Sequence, residues 1–210
     1  MPPRILHVDP SSPDPGAVAD AAAIVAGGGV IAYPTDTLYG LGVDPRSDAA
    51  VARLFAVKSR DASVAVPLIA GSLEQAFTAG TFSDADVRLA RAFWPGPLSI
   101  VVPASRLVSA RLLGRGATVA IRVPAHAAAR ALATILGSAL TATSANLSGQ
   151  PPASNSDEVE RSLGDRIDAI VNGGPAPGGP PSTIVQVVDG VPQLLRAGAI
   201  AFERVLEFAK

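Results

Sequence analysis

Short apolar runs and amphipathic segments alternate along the whole chain. Runs rich in β-branched residues predict strands over 4–8, 30–33, 64–70, 98–102, 118–123, 139–143, 168–171, 183–188 and 192–196. Apolar residues spaced three or four positions apart predict helices over 13–27, 47–58, 72–79, 83–93, 125–136 and 198–209. Because strands and helices intermix without an internal repeat, the pattern favours a single α/β (or α+β) domain over residues 1–210, with no additional C-terminal domain.

Glycine and proline are unusually common, with 20 Gly and 19 Pro among 210 residues. A disordered chain has a similar count, but here 48% of the residues are hydrophobic, only 17% are charged, and the mean hydropathy is +0.34. This composition predicts a packed core, so the Gly and Pro belong to turns and loops, where binding residues concentrate. Residues 173–181 (GGPAPGGPP) are expected to form a mobile surface loop.

Several classes of protein are excluded by composition. The chain has no Cys, which excludes disulfides, thiolate zinc sites and cysteine nucleophiles. The formal net charge of −1 gives no support for a strongly basic nucleic-acid-binding domain. The longest apolar run, 21–33, is shorter than the roughly 20 residues of a membrane span. We therefore expect a cytoplasmic protein without a membrane segment.

Three polar segments are candidate binding elements, although the sequence has neither a Walker loop nor a dinucleotide-binding glycine motif. Residues 33–42 (YPTDTLYGLG) are either a ligand-binding turn or an ordinary polar turn after a strand. Lys58 and Arg60, at a helix exit, either converge on an anion or are solvated cations. Residues 143–149 (TSANLSG) offer uncharged hydroxyl and amide groups, which suit a phosphate or ribose and equally suit turn formation.

Three arginines, Arg60, Arg122 and Arg196, stand near the ends of predicted elements, where they can converge on a polyanion. Asp36 is a candidate magnesium contact, but a lone carboxylate is a weak signal. His126 is expected to cap a helix rather than to take part in chemistry.

Taken in order, the polar segments belong to a longer series of motifs. The series is PTDTLYGLG at 34–42, Lys58-x-Arg60, WPGPL at 94–98, RVP at 122–124, TSANLSG at 143–149, STIV at 182–185 and LRAGAI at 195–200. This series resembles the YrdC family, the threonylcarbamoyl-adenylate synthases, in a short form with one YrdC-like domain. The resemblance covers about residues 13–200.

The resemblance implies a twisted mixed β-sheet flanked by helices around a large concave cavity, similar to dihydroxybutanone-phosphate synthase. It implies a reaction in which L-threonine, bicarbonate or CO2, and ATP give threonylcarbamoyl-AMP and pyrophosphate. Mg2+ would accompany ATP, with no metal site made by protein side chains alone. The implied partners are enzymes that transfer the threonylcarbamoyl group to tRNA beside the anticodon, with tRNA itself a further possible contact.

The resemblance also implies roles for individual residues. The implied catalytic group comprises Lys58, Arg60, Ser144 and Asn146. The implied ATP contacts are Lys58, Arg60, Thr118, Ala142, Asn146 and Arg196. The implied threonine contacts are Thr35, Arg122, Ser144 and Ser182.

The chain departs from the family pattern at three positions. Asp61 follows Arg60 where the family often has Pro, Gly71 falls where a His often contacts threonine, and Pro152 stands where a Ser often contacts ATP. Three alternatives stay open: a carbamoyltransferase-type relative, an RNA-binding module, and an inactive relative of the synthases.

Overall fold

The computed structural model describes residues 2–59 and 64–208. Within these ranges the strands are β1 (Arg4–His7), β2 (Ile31–Pro34), β3 (Tyr39–Gly42), β4 (Leu68–Ile69), β5 (Leu98–Pro103), β6 (Thr118–Arg122), β7 (Leu140–Thr141), β8 (Thr143–Ser144), β9 (Ala169–Asn172), β10 (Thr183–Val188) and β11 (Val191–Arg196). The α-helices are α1 (Pro15–Ala26), α2 (Asp48–Lys58), α3 (Leu73–Ala79), α4 (Asp84–Phe93), α5 (Ala127–Leu136), α6 (Ser156–Leu163) and α7 (Phe202–Glu207). Short 3-10 helices cover Ala110–Leu112 and Gly164–Arg166.

The strands form two mixed sheets. The five-stranded sheet has the order β1-β9-β2-β3-β8, and the six-stranded sheet has the order β11-β10-β5-β6-β4-β7. Parallel pairs such as β1 with β9 and antiparallel pairs such as β2 with β3 occur in the same sheet. The mixed α/β fold class that the sequence predicts is therefore confirmed, with the β-structure divided between two sheets.

The chain passes from one sheet to the other at Ala142, the single residue between β7 and β8. On one side of it, the Thr141 hydroxyl donates to the Leu41 carbonyl and accepts from the Val43 amide. The Tyr33 hydroxyl, which is fully buried, donates to the Thr141 carbonyl at 2.8 Å. These bonds hold the sheets together at the point where polar segments of both approach each other.

Two apolar cores support the sheets. The larger core packs α2, α4 and α6 against strands of both sheets, with the fully buried Leu54, Leu89 and Ile100 among its members. The smaller core lies where α1 and α5 cover β2 and β9, with Val25 and Ala129 fully buried. None of the helices in the described ranges is both long enough and apolar enough to span a membrane.

Some predicted elements are wrong in detail. The strand predicted over 64–70 is reduced to β4, and the strand predicted over 139–143 is divided between β7 and β8 in different sheets. β3 and α6 were not predicted. A usable signal preceded α6, because the Asn155 side chain caps it by accepting from the Glu158 amide at 2.9 Å.

Candidate active site

A cavity of about 780 Å³ lies between the two sheets. Its size suits a small-molecule ligand, for which cavities are typically about 300–1,000 Å³. Strands of both sheets contribute polar groups to its walls, together with the loop before β4 and the end of the 173–181 loop. The polar and charged side chains of the wall are Thr35, Thr37, Tyr39, Ser99, Thr118, Arg122, Thr143, Ser144, Ser182 and Arg196.

The turn between β2 and β3 presents Thr35 to this cavity. The Thr35 hydroxyl donates to the Leu38 carbonyl at 2.7 Å and accepts from the amides of Thr37 and Leu38. The Thr35 side chain thus closes the turn by bonding to the backbone of the turn itself, and Asp36 is held at the tip. The polar segment is thus a structured turn whose other hydroxyl, that of Thr37, also faces the cavity.

Arg122 ends β6 and forms an ion pair with Asp36 through its Nη1. Both side chains are largely buried, with 8% and 12% of their surface exposed for Arg122 and Asp36. The second carboxylate oxygen of Asp36 accepts from the Ala125 amide at 3.1 Å. Asp36 therefore links the β2–β3 turn to the end of β6, and the guanidinium that it holds lies in the cavity wall.

Arg196 ends β11 and is held by oxygens of Ser182. Its Nη2 donates to the Ser182 carbonyl at 2.7 Å and to the Ser182 hydroxyl at 3.0 Å, while its Nε reaches the same carbonyl at 3.2 Å. The Ser182 hydroxyl also lies 2.9 Å from the hydroxyl of the buried Ser99. A chain of three polar side chains therefore runs from the end of β11, through the residue that precedes β10, to β5.

Close backbone contact near Gly198 makes this arrangement possible. A Cβ at Gly198 would lie 2.2 Å from the Pro181 carbonyl oxygen and 2.5 Å from backbone atoms on both sides of the Ser182–Thr183 peptide. Such distances are far below van der Waals contact, so glycine is required here. The segment after β11 is further tied by the Thr183 hydroxyl, which donates to the Ile200 carbonyl and accepts from its amide.

Lys58 is the last residue of α2 and is 97% buried, since only 3% of its surface is exposed. Its Nζ donates to the Ser144 carbonyl at 2.5 Å, to the Asn146 carbonyl at 2.9 Å and to Asn146 Oδ1 at 3.3 Å. The Asn146 amide group in turn donates to the carbonyls of Leu147 and Gln150. Lys58 therefore holds the 143–149 segment from behind, while Ser144 lines the cavity.

The electrostatic character of the cavity is positive. Burial, together with repulsion from Arg122, lowers the pKa of Arg196 below its usual value. Among the described residues of the cavity wall there is no carboxylate, and Asp36 is paired with Arg122. Two guanidinium groups and several hydroxyls are suited to a ligand with anionic groups, such as a phosphate or carboxylate.

The described residues form no cluster of three or more acidic or His side chains suited to a metal ion. Asp36, a candidate magnesium contact from the sequence, has one oxygen paired with Arg122 and the other bonded to the Ala125 amide. Both carboxylate oxygens of Asp36 are therefore already bonded to groups of the protein.

Comparison with known proteins identifies the family. Residues 23–198 match the family model of Sua5, YciO and YrdC proteins, which is described as telomere recombination. The chain belongs to this family. It is also 43% identical over 184 residues to a threonylcarbamoyl-AMP synthase of Thiobacillus denitrificans, and the match covers 87% of this chain and 96% of the relative. The resemblance seen in the motifs is thereby confirmed.

Solved structures of the same family have the same fold. Sua5 of P. abyssi, solved in complex with L-threonine, superposes with a TM-score of 0.91 at 32% identity; the match covers 97% of this chain and 60% of the Sua5 chain. YciO of E. coli superposes with a TM-score of 0.87 at 27% identity, covering 97% of this chain and all of YciO. The chain therefore spans about three-fifths of the Sua5 protein and the whole length of YciO.

The structure brings most of the residues implied by the family motifs to one cavity. Thr35, Thr118, Arg122, Ala142, Ser144, Ser182 and Arg196 all line it. Lys58 and Asn146 lie behind Ser144 and bond to each other. Arg60 and the unusual Asp61 fall outside the described residues.

Two other departures from the family pattern have clear positions. A Cβ at Gly71 would lie 2.2 Å from the Thr134 hydroxyl and 2.9 Å from the Arg130 carbonyl, so helix α5 fills the space that a larger side chain would need. Pro152, in contrast, lines the cavity and presents an apolar ring there. Packing of α5 therefore occupies the space beside Gly71, and the ring of Pro152 forms an apolar part of the cavity wall.

Sequence reasoning missed Ser99, which is 2% exposed and bonded to Ser182. A signal existed, because Ser99 is the one polar residue in the apolar strand β5. It lies two positions from Val101, and alternate residues of a strand share a face, so both line the cavity. His126 occupies the capping position of α5 as predicted, but its side chain makes no cap bond. Its Nδ1 is buried and has no hydrogen-bond partner among the residues that the structure describes.

Proposed function

We propose that this chain is a threonylcarbamoyl-AMP synthase, which makes threonylcarbamoyl-AMP and pyrophosphate from L-threonine, bicarbonate or CO2, and ATP. The observation that carries the proposal is the convergence of Arg122, Arg196, Ser144 and Ser182 on one cavity. Support also comes from the synthase of T. denitrificans, which this chain matches over 96% of the relative's length.

We assign the amino-acid end of the cavity to Thr35, Arg122, Ser144 and Ser182. The guanidinium of Arg122 is suited to the threonine carboxylate, because arginine binds carboxylates through a planar fork of N–H donors. The hydroxyls of Thr35 and Ser182 lie on walls from different sheets, which suits recognition of a small polar molecule from two sides.

We assign the nucleotide end to Thr118, Ala142 and Arg196, with Lys58 and Asn146 near the reacting groups. Arg60, which lies outside the described residues, is assigned to the ATP and catalytic group from its sequence motif alone. Arg196 is suited to a phosphate, since its guanidinium is in the cavity wall and its observed partners are neutral oxygens of Ser182. Mg2+ bound to the ATP phosphates would supply charge neutralisation there, and the protein donors of the wall would complete it.

The proposed chemistry needs no protein nucleophile. The neutral threonine amine adds to CO2 and gives up a proton to solvent, which forms a carbamate. A carbamate oxygen then attacks the α-phosphorus of ATP, and the bond between that phosphorus and the α,β-bridging oxygen breaks to release pyrophosphate. The protein then contributes by positioning the two substrates and by stabilising developing negative charge. The chain has no Cys, and the described residues of the cavity wall are cationic, hydroxyl-bearing or apolar, with no base paired to a nucleophile. This composition is consistent with catalysis by positioning and charge stabilisation.

The product would be passed to enzymes that transfer the threonylcarbamoyl group to tRNA. We assign both the synthesis and the transfer to the cytoplasm. The alternatives, an RNA-binding module, an inactive relative and a carbamoyltransferase-type relative, are separated from the synthase by one assay.

The test is to incubate the purified chain with ATP and Mg2+ and to measure pyrophosphate with and without threonine and bicarbonate. Release that depends on both is the expected result. Release of pyrophosphate independent of threonine, or no release at all, would refute the synthase assignment. Tight tRNA binding with no adenylate formed would favour the RNA-binding alternative.

A further inference from the structure

Asp36 is a charged residue of the cavity region that no assigned role explains. It sits at the tip of the β2–β3 turn, within a motif whose hydroxyls face the cavity, but its own carboxylate does not line the wall. Its two oxygens instead bind Arg122 Nη1 and the Ala125 amide. Both groups belong to the end of β6 and the residues that follow it.

The position of Asp36 restricts how Arg122 can move. A long arginine side chain loses substantial rotamer freedom when it is fixed, so an unrestrained Arg122 would have to be ordered by the ligand. Asp36 is itself fixed by the Thr35 turn and by the Ala125 amide. The guanidinium is therefore held before a ligand enters.

The geometry also leaves Arg122 able to bind a ligand. An arginine has five N–H donors in a planar fork, and the ion pair with Asp36 uses Nη1. Since Arg122 lines the cavity, the remainder of the fork is oriented by the same contact. The pair also compensates the charge of Arg122, which suits a single carboxylate better than a polyphosphate.

We infer that Asp36 is the positioning residue for Arg122. Through Arg122 it makes binding of the amino-acid substrate depend on the substrate's carboxylate. The inference rests on the proposed function, because it takes the ligand at Arg122 to be threonine. Asp36 does not touch the substrate and acts only through Arg122. The magnesium role considered from the sequence is replaced by this one.

The test is the affinity of the Asp36→Asn variant for L-threonine and for L-threoninamide, which lacks the carboxylate, measured by calorimetry. Loss of a charge-assisted bond predicts a threonine affinity about 10-fold or more below that of the wild type. Threoninamide binding should change by less than about 3-fold, so the preference for the carboxylate should shrink. ATP affinity should also stay within about 3-fold of the wild-type value.

Two further variants separate positioning from a structural role. Asp20→Asn makes the same change of a carboxylate to an amide in the exposed ion pair with Arg4. It should leave the affinities for threonine and for threoninamide unchanged. Asp36→Glu keeps the charge, so it should retain more threonine affinity than Asp36→Asn, whereas a space-filling role predicts the reverse because Asn has the shape of Asp. If Asp36→Asn does not fold, the test falls on Asp36→Glu, whose threonine affinity should stay within about 3-fold of the wild-type value. A larger loss would contradict the role of the charge.

The outcomes distinguish this inference from the synthase assignment. Unchanged threonine affinity in Asp36→Asn, or equal losses for threonine, threoninamide and ATP, would overturn the role of Asp36. A wild-type protein that binds threonine with the expected carboxylate preference but releases no pyrophosphate would refute the synthase assignment and leave Asp36 as the positioning residue. A wild-type protein that binds no threonine would overturn both.

Discussion

Replacement of the buried Lys58 by Met should destabilise the protein measurably, independent of any effect on chemistry. Met fills most of the same space but donates no hydrogen bond. The change removes two short bonds, of 2.5 Å to the Ser144 carbonyl and 2.9 Å to the Asn146 carbonyl, and a longer one of 3.3 Å to Asn146 Oδ1. The Ser144 carbonyl keeps the Asn146 backbone amide as a donor at 3.0 Å, so the losses at the two carbonyls are not equal.

The size of the effect follows from opposing contributions. Each hydrogen bond from a charged donor contributes about 1.5–3 kcal/mol. The two short bonds together contribute roughly 3–6 kcal/mol, and removal of the cost of burying an ammonium group offsets part of that loss. A net loss of about 2–4 kcal/mol in the free energy of unfolding results, which in a chain of this size lowers the melting temperature by about 4–16 °C.

The measurement combines thermal or urea unfolding with the pyrophosphate assay on Lys58→Met. Arg4→Met is the matched control, because it removes a long cation from an exposed ion pair and should cost less than about 1 kcal/mol. A Lys58→Met protein whose melting temperature is within about 2 °C of the wild type, yet which has lost turnover, would refute the structural role. Lys58 would then act on the substrates rather than on the 143–149 segment.

Three further predictions concern residues around the cavity and helix α5. Ser99→Ala removes one neutral partner of the Ser182 hydroxyl, worth about 1 kcal/mol, and should raise the KM for threonine by about 5-fold or less with kcat unchanged. Gly198→Ala forces a Cβ into the backbone around Ser182 and should cost about 1–3 kcal/mol in urea unfolding and most of the activity; full activity would contradict the close approach. Burial lowers the pKa of His126 in the folded protein below 6.5. The free energy of unfolding is therefore highest above pH 6.5, where the imidazole is neutral in both states, and it decreases as the pH falls from 6.5 through the folded-state pKa. The melting temperature of His126→Gln should therefore fall less than that of the wild type from pH 7 to pH 5.5, while the exposed His7→Gln behaves like the wild type.

Hydrophobic periodicity predicted the elements that are apolar in their own sequence. The strands β5, β6 and β10 are apolar runs that pair through most of their length, and they were predicted within one or two residues. β3 was not predicted because its sequence, YGLG, has two glycines and follows a polar turn. It is a strand because it pairs with β2 on one side and β8 on the other, and neither pairing is visible in local sequence.

The division of 139–143 between two sheets has the same cause. The segment reads as one short strand, but its pairing partners differ: Leu140 and Thr141 pair with β4, and Thr143 and Ser144 pair with β3. Long-range pairing decides where the sheet changes, whereas periodicity reports only which residues are buried. The crossing places Ala142 in the cavity wall, which a single strand would not have done.

The residues of the candidate site were predictable from ordered motifs, but their interactions were not. Thr35, Arg122 and Ser182 come from segments far apart in sequence, and only the folded chain shows that Asp36 holds Arg122 and Ser99 holds Ser182. The alternatives for Lys58 illustrate the same limit. A cation at a helix exit is usually solvated, yet here the side chain turns inward and bonds to two carbonyls.

The two arginines of the cavity differ in a way that supports their separate assignments. Arg122 is paired with a carboxylate, so the pair carries little net charge and suits a ligand with a single anionic group. Arg196 is held by the carbonyl and hydroxyl of Ser182, which orient the guanidinium without neutralising it. Its pKa is lowered, first by burial and then by Arg122, as expected for a cation that lacks a counter-ion in its observed contacts. The phosphates of a nucleotide would bring several negative charges to this cation, whereas the proposed amino-acid ligand brings one carboxylate. These contacts support the proposed assignment of the nucleotide to Arg196 and of the amino acid to Arg122.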